Sequence, residues 1–439
     1  VLQSIAPQNR FFTIHVHYHK EVIFMNRRKI LALMLLSVFA FIIGIASISA
    51  QEDVAPIKIG VAVAQSGTAS AFGVEQVIGA ELAEAYYNEL GGVNGVPIEI
   101  VFQDAGTDEN AAINAFNVLM NQDNVVGIMG PTLSQQAFAA VPEADRVGVP
   151  VIAPSNTAAG IPQISPFNAR VSAPVTVLAP IALSTAVELE GVSRAVVIFA
   201  RNDAFSSSET TLFQSAAADI GLEVAAVLEY ETTDTSFDIL ASNAIGNSPD
   251  VIVISGLAVD GGTLVRTLRE LGYEGVIVGG NGFNTPNIFP ICQEYCDGII
   301  VAQAYNNQFE GEINTAFRAL YEENQGKLPG QFPAQAFTGI QVFVEALIEI
   351  DNTVGLDSFG DDLTALRSAL NDTLLTLEYD TPLGIISFDP DGEIIQGNFF
   401  VAQVAMNDDG ETGSFALLVS VSLFDDEEAT EEPVSTPES

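Results

Sequence analysis

Histidine is nearly absent. The 439-residue chain has three, His15, His17 and His19, and none follows Met25. The body therefore has no Ser-His-Asp or Cys-His catalytic set and no His-ligated zinc or haem. Tryptophan is missing, and two cysteines, Cys292 and Cys296, are too few for a four-thiolate metal site. Basic residues are scarce, 15 against 56 acidic, for a formal charge of −41. That excludes a generic nucleic-acid binder, because phosphate contacts need clustered Lys and Arg. The glycine-rich turn Gly91-Gly92-Val93-Asn94-Gly95 lacks the spacing of a dinucleotide or P-loop fingerprint. No metal and no cofactor is expected.

What is present is apolar content of 48% with 36 glycines, the composition of a packed core with many tight turns. Met25 is followed by Asn26, Arg27, Arg28 and Lys29, then an apolar run over 30–50 that ends in small residues. This is the pattern of a secretory signal, with 1–24 read as an over-extended start. The 21-residue run is also long enough to span a bilayer, so a retained anchor is the alternative. No cysteine stands directly after it, which closes the lipoprotein route. Cleavage after Ala50 is the expected outcome, and either route places the body outside the cytoplasm. Five basic residues and one acidic residue precede position 51, leaving ten against 55 beyond it. The excess reads as colloidal stability, with adaptation to a saline or acidic medium as the alternative.

Short β-branched runs alternate with amphipathic stretches. Strands are predicted at 57–64, 98–103, 125–129 and 149–153, then at 194–200, 222–229, 251–255, 276–279 and 298–302. Their apolar runs do not alternate, as expected where both sheet faces are covered. Helices are predicted at 74–90, 110–121, 134–146, 206–220 and 261–271, with longer ones at 313–324, 333–351 and 361–374. Repeated βα units imply an α/β fold with parallel sheets. Connections near 171–175 and 302–306 divide the strands into two doubly wound lobes. The expected division is 51–174 with 303–384 for lobe 1 and 175–302 with 385–424 for lobe 2. The acidic stretch 425–439 is expected to be a disordered tail.

In open α/β sheets ligands bind outside the carboxyl ends of the strands, which singles out the loops 65–72, 130–135, 153–158, 201–206, 255–260 and 279–283. In the second of these, Ser134 stands where a helix N-cap belongs; its hydroxyl and the first-turn amides suit an anion. Ser155 and Thr157 bring hydroxyls to the same sheet edge. Each loop alone reads equally as cap or turn chemistry; the pair together suggests a small carboxylate site. Phe72 and Phe205, one per lobe, either pack under their loops or wall a cleft. Cys292 and Cys296 enclose three residues and are expected to form a local disulfide.

The ordered set Ile57-Lys-Ile-Gly-Val-Ala-Val, Ser66-Gly67, Phe72-Gly73, Gly79-Ala80-Glu81-Leu82-Ala83, Gly91-Gly92-Val93-Asn94-Gly95, Asp104 with Asp108, Val126-Gly127-Ile128-Met129-Gly130-Pro131, Gly148-Val149-Pro150-Val151-Ile152, Pro154-Ser155 and Gly384-Ile385-Ile386-Ser387-Phe388-Asp389 with Gly392 resembles a class I periplasmic binding protein. It is similar to the leucine/isoleucine/valine-binding type that serves ABC importers. The resemblance implies two lobes joined by a three-crossover hinge and closing on a ligand. It implies that Ser134 and Thr157 hold a ligand carboxylate, that Ser155 offers a backbone carbonyl to an ammonium, and that Phe72 and Phe205 face the ligand. Asn281 stands where the family has an acidic anchor for the ammonium, and an amide cannot supply that full charge. Leu257-Ala258 replaces an expected aromatic, with Asp260 nearby as a substitute. The expected partners are a small solute (an amino acid or a related carboxylate or amide) and an ABC permease, with the receptor a monomer and not an enzyme. A sensor feeding a signalling partner is the alternative. An amidohydrolase would need Lys58, Lys327 or a carboxylate as base, and no motif supports one.

Overall fold

The computed structural model describes residues 55–423. The segments at 1–24 and 25–50 and the acidic tail lie outside the described residues. The first sheet forms from β1 (Ile57–Val63), β2 (Ile98–Asp104), β3 (Ile128–Met129), β4 (Val151–Ala153) and β5 (Asn168–Arg170), in the order β2-β1-β3-β4-β5 and parallel throughout. Between them run α1 (Ser70–Glu89), α2 (Glu109–Val118) and α3 (Ser134–Val147). The last five residues of β1 are buried, as expected of a strand covered on both faces.

The chain then enters a second sheet through α4 (Val175–Glu190). There β6 (Arg194–Ala200), β7 (Glu223–Tyr230), β8 (Val251–Ser255), β9 (Val276–Gly279) and β10 (Ile300–Gln303) alternate with α5 (Ala204–Asp219), α6 (Asp238–Gly246), α7 (Ala258–Glu270) and the short α8 (Phe289–Cys292). It returns to the first lobe as α9 (Glu312–Gln325), α10 (Gln331–Thr353), α11 (Leu363–Leu374) and the small antiparallel sheet β11 (Tyr379–Thr381), β12 (Gly384–Phe388) and β13 (Ile394–Gln396). Tyr379, Leu383, Ile386, Phe388 and Ile394 are buried in one core with Phe317, Phe337 and Phe343, so 379–396 packs with the first lobe. The chain rejoins the second sheet as β14 (Asn398–Met406), antiparallel to β10, and ends in β15 (Gly413–Ser422). The second sheet reads β15-β14-β10-β9-β8-β6-β7. Three connections therefore join the lobes: between β5 and α4, between β10 and α9, and between β13 and β14.

All nine predicted strands are present within two or three residues of their expected bounds. The sequence reading missed β5, whose Asn-Ala-Arg run carries no apolar signal, α4, which is apolar nearly all round and contains Pro180, and the nine-residue α6. Cys292 and Cys296 are joined as a disulfide with Cα atoms 5.3 Å apart, both buried in the second lobe's core.

One close approach sets the cleft. A side chain at Gly73 would place its Cβ 1.9 Å from the carbonyl oxygen of Ala64. Glycine there lets α1 start directly against the end of β1, which brings Phe72 to the carboxyl edge of the sheet.

Candidate functional site

The carboxyl ends of the two sheets face each other across a narrow cavity lined by both lobes. On the first lobe it is lined by Phe72, Thr132, Leu133, Ser134, Ser155 and Thr157, with Phe332 from α10; on the second, by Phe205, Leu257, Asn281 and Gly282. The Phe72 and Phe332 rings pack with centroids 4.8 Å apart.

The four hydroxyls of the first-lobe wall are not equivalent. Thr132 Oγ1 accepts from Ala64 N at 2.9 Å and donates to Gln76 Oε1 at 2.6 Å. Ser155 Oγ donates to Thr132 O and accepts from Gln76 Nε2, both at 2.7 Å. Gln76 thus spends both its ends locking these two hydroxyls into the framework. Arg170 holds the same loop from behind, donating to Asn156 O at 3.0 Å and Ala158 O at 2.8 Å while pairing with Glu393. Ser134, by contrast, receives one long bond from Ala158 N at 3.4 Å. Thr157 Oγ1 is buried and has no partner among the described residues. Both stand beside the amino-terminal turn of the 14-residue α3, whose unpaired amides and dipole favour negative charge.

The second-lobe wall is held by an amide chain anchored on the backbone. Gln331 Oε1 accepts from Ala304 N at 2.7 Å, which turns Gln331 Nε2 to donate to Asn281 Oδ1 at 2.8 Å. Asn284 Nδ2 donates to Ala302 O at 2.7 Å and to Asn281 Oδ1 at 3.1 Å. Asn284 Oδ1 accepts from Gln303 Nε2 at 3.1 Å.

Carboxylates stand just behind this wall. Glu209 accepts from Asn281 N at 2.9 Å and from the Ser255 hydroxyl, and burial pushes its pKa up to about 7. Asp260 accepts from Tyr230 Oη at 2.5 Å and Leu257 N at 3.3 Å, and burial raises it to about 6. Asp203 caps α5 through Ser206, and burial raises it too. None of the three takes part in an ion pair among the described residues.

Polar contacts among the described residues hold the lobes closed on each other. Thr285 Oγ1 donates to Glu75 Oε2 at 3.1 Å, Asn287 Nδ2 to Ala71 O at 2.8 Å, Ala159 N to Ser208 Oγ at 3.0 Å, and Gln331 Nε2 to Asn281 Oδ1 as above. Burial lifts Glu75 to about 7, with Thr285 and Lys327 pulling the other way.

Of the residues singled out from sequence, Phe72, Ser134, Ser155, Thr157, Phe205 and Asn281 line the cavity together. Asp260 does not; its carboxylate is turned to Tyr230 and the start of α7. Thr132, Leu133, Leu257 and Gly282 fall in loops the strand-end argument had selected. Phe332, Gln76, Glu75 and Glu209 do not: they lie on helices, where one aromatic or polar residue carries no positional signal.

The described residues resemble known proteins along nearly their whole length. The family model for periplasmic binding protein matches residues 56–411. The Leu/Ile/Val-binding protein homolog 3 of Brucella melitensis is 24% identical over 368 residues, 82% of this chain and 94% of that protein. The crystal structure of a leucine-binding protein from Thermotoga maritima superposes with a TM-score of 0.74 at 24% identity, covering 84% of this chain and 99% of that one. A solute-binding protein of an ABC transporter from Rhodopseudomonas palustris, solved with 3,4-dihydroxybenzoic acid, superposes with a TM-score of 0.72 at 21% identity over 86% of this chain and 99% of that one.

Proposed function

The chain belongs to the periplasmic binding protein family, in its Leu/Ile/Val-binding type, and we propose that it is an extracytoplasmic receptor that traps a small carboxylate between its lobes and hands it to an ABC permease. The observation that carries this reading is the buried, unpartnered Thr157 Oγ1 beside Ser134 and the amino-terminal turn of α3. A buried hydroxyl without a partner is costly unless a ligand supplies one. Two hydroxyls and a helix amino terminus converging on one point suit a carboxylate. Phe72, Phe205, Phe332, Leu133 and Leu257 then enclose an apolar body.

No covalent chemistry is needed. The lining offers hydroxyls without a base to activate them, so binding and closure are the whole mechanism. Ligand bound to the first lobe gains its remaining contacts only when the second lobe arrives, which shifts the population toward the closed form. The closed form is the one a permease would read. The Thermotoga protein's description as leucine-binding and the aromatic acid held by the Rhodopseudomonas protein both support a small carboxylate as the class. One chain supplies the complete site, consistent with a monomer.

The test combines calorimetry and small-angle scattering over a panel of amino acids, 2-oxo acids, aromatic acids and amides. The expected result is a stabilising ligand, a smaller radius of gyration on binding, and recovery of the ligand unaltered. A panel in which no carboxylate binds, or in which the ligand is recovered as a product, overturns the receptor reading.

A further inference from the structure

Resting on that receptor reading, we infer that the ligand is a monocarboxylate bearing a neutral hydrogen-bond acceptor, an oxo or hydroxyl oxygen, where an α-amino acid bears its ammonium, and that Asn281 makes this choice. The argument turns on which end of the Asn281 amide meets the cavity. Two backbone groups settle it. Ala304 N can only donate, so the Gln331 atom it meets is the oxygen, and the nitrogen of Gln331 faces Asn281. Ala302 O can only accept, so the Asn284 atom it meets is the nitrogen, and that nitrogen also faces Asn281. Both neighbours therefore present donors to the same Asn281 atom, which must be Oδ1. Asn281 Nδ2 makes no hydrogen bond among the described residues and is the atom left to serve the cavity that Asn281 lines.

The second lobe thus meets the ligand with a donor. An ammonium is donor-only and would gain no bond from Asn281, whose free amide nitrogen would be left unsatisfied. No side chain lining the cavity carries a negative charge. The first lobe also presents donors, the hydroxyls of Ser134 and Thr157 and the amides of α3, so acceptors are wanted at both ends. The second acceptor is neutral rather than a second carboxylate. No cation lines the cavity, and Glu209 stands against the Asn281 backbone amide. Its proximity is built in: a Cβ at Gly280 would lie 1.8 Å from Glu209 Oε2. A dianionic ligand would place its second charge where no cation lines the cavity to balance it.

The experiment uses matched probes that differ only at the α-substituent: L-leucine against 4-methyl-2-oxopentanoate and its 2-hydroxy analogue, and L-phenylalanine against phenylpyruvate. Dissociation constants are measured on the wild-type protein, on Asn281→Asp, which keeps the shape but turns the donor into an acceptor, and on Asn281→Ala. The wild type is expected to prefer the oxo or hydroxy member by about 10-fold or more, the scale of one hydrogen bond gained against one clash of donors. Asn281→Asp should move the ratio by at least that factor toward the amino acid. Asn281→Ala, which removes both ends of the amide, should erase the preference without that gain. A wild type that prefers the amino acids, or a ratio that Asn281→Asp leaves unmoved, overturns the assignment of class while the receptor reading stands. Binding of neither set, with closure undetected by scattering, overturns both.

Discussion

Glu75 on α1 and Thr285 on the loop after β9 join the two lobes through a single hydrogen bond of 3.1 Å, and the other carboxylate oxygen, Glu75 Oε1, is buried without a partner. A carboxylate with one donor in a nearly dry site is stable only when a proton neutralises it. The groups that face it are few: Thr285 and Lys327 favour its charge, and the Tyr321 hydroxyl lies close enough for its own ionisation to be opposed by it.

The consequence is a pH-dependent stability with a defined sign. Glu75 is raised from an ordinary 4.5 to about 7. Between those values the folded protein holds a proton that the unfolded chain releases, so the contribution of Glu75 to stability is greatest below 4.5, falls as pH rises to about 7, and is flat beyond. Glu209 and Asp260 add in the same direction. Urea unfolding of Glu75→Gln across this window should show a fall smaller than the wild type's by on the order of 3 kcal/mol. Parallel curves for the two proteins would remove Glu75 from the account.

Ser134→Ala with Thr157→Val tests the carboxylate end. Each hydroxyl that donates to a charged oxygen contributes roughly 1.5–3 kcal/mol, so the double variant should lose affinity by several kcal/mol while Thr157→Val removes a buried orphan and leaves the free protein no less stable. Thr132→Val is the contrast: its hydroxyl ties Ala64 to Gln76, and its loss should show as lowered stability. Calorimetry alongside thermal unfolding separates the two patterns.

The disulfide is placed to matter for stability and not for the ligand. Cys292 and Cys296 lie in the second lobe's core, and neither lines the cavity. The bridge closes a very short loop, so its entropic contribution is at most about 2 kcal/mol. Cys292→Ser with Cys296→Ser should lower the unfolding midpoint and leave the dissociation constant unchanged within twofold or so. A large loss of affinity in a folded double variant would contradict this placement.

Much of this architecture was legible in sequence because burial leaves a mark there. Runs such as Val251–Ser255, buried at every residue, have no polar face to show, and the strand-end rule then pointed to loops that line the cavity. Ser134 and Thr157 were visible because they stand in loops at the carboxyl ends of neighbouring strands, Ser134 where a helix N-cap belongs. The rest was hidden by its own chemistry. Gln76 and Glu209 occupy helix positions where a polar residue ordinarily meets water, and only the tertiary fold turns them inward. Asn281 was visible as a departure, but the direction of its amide depends on Gln331 and Asn284, fifty residues and three residues away. The sequence could place Asp260 near the site; it could not reveal that Tyr230 claims its carboxylate.

Gly280 and Glu209 offer the most stringent check on the second-lobe wall. The Glu209 carboxylate fills the place where a side chain at position 280 would begin, 1.8 Å from an ideal Cβ. It is buried and held by Ser255 and by Asn281 N, so it can retreat only by giving up those donors. Gly280→Ala should therefore destabilise the protein by about 1–3 kcal/mol, the cost of overpacking a closed site. Glu209→Ala should also destabilise, because Ser255 and Asn281 N lose their acceptor. The two should not add: with Glu209 gone, the methyl group at 280 enters the space it vacates. The double variant should be more stable than the sum of the single losses by 1 kcal/mol or so, and chemical denaturation of the four proteins measures that difference directly. Strict additivity would mean that the two residues do not touch and that Glu209 does not brace the Asn281 backbone.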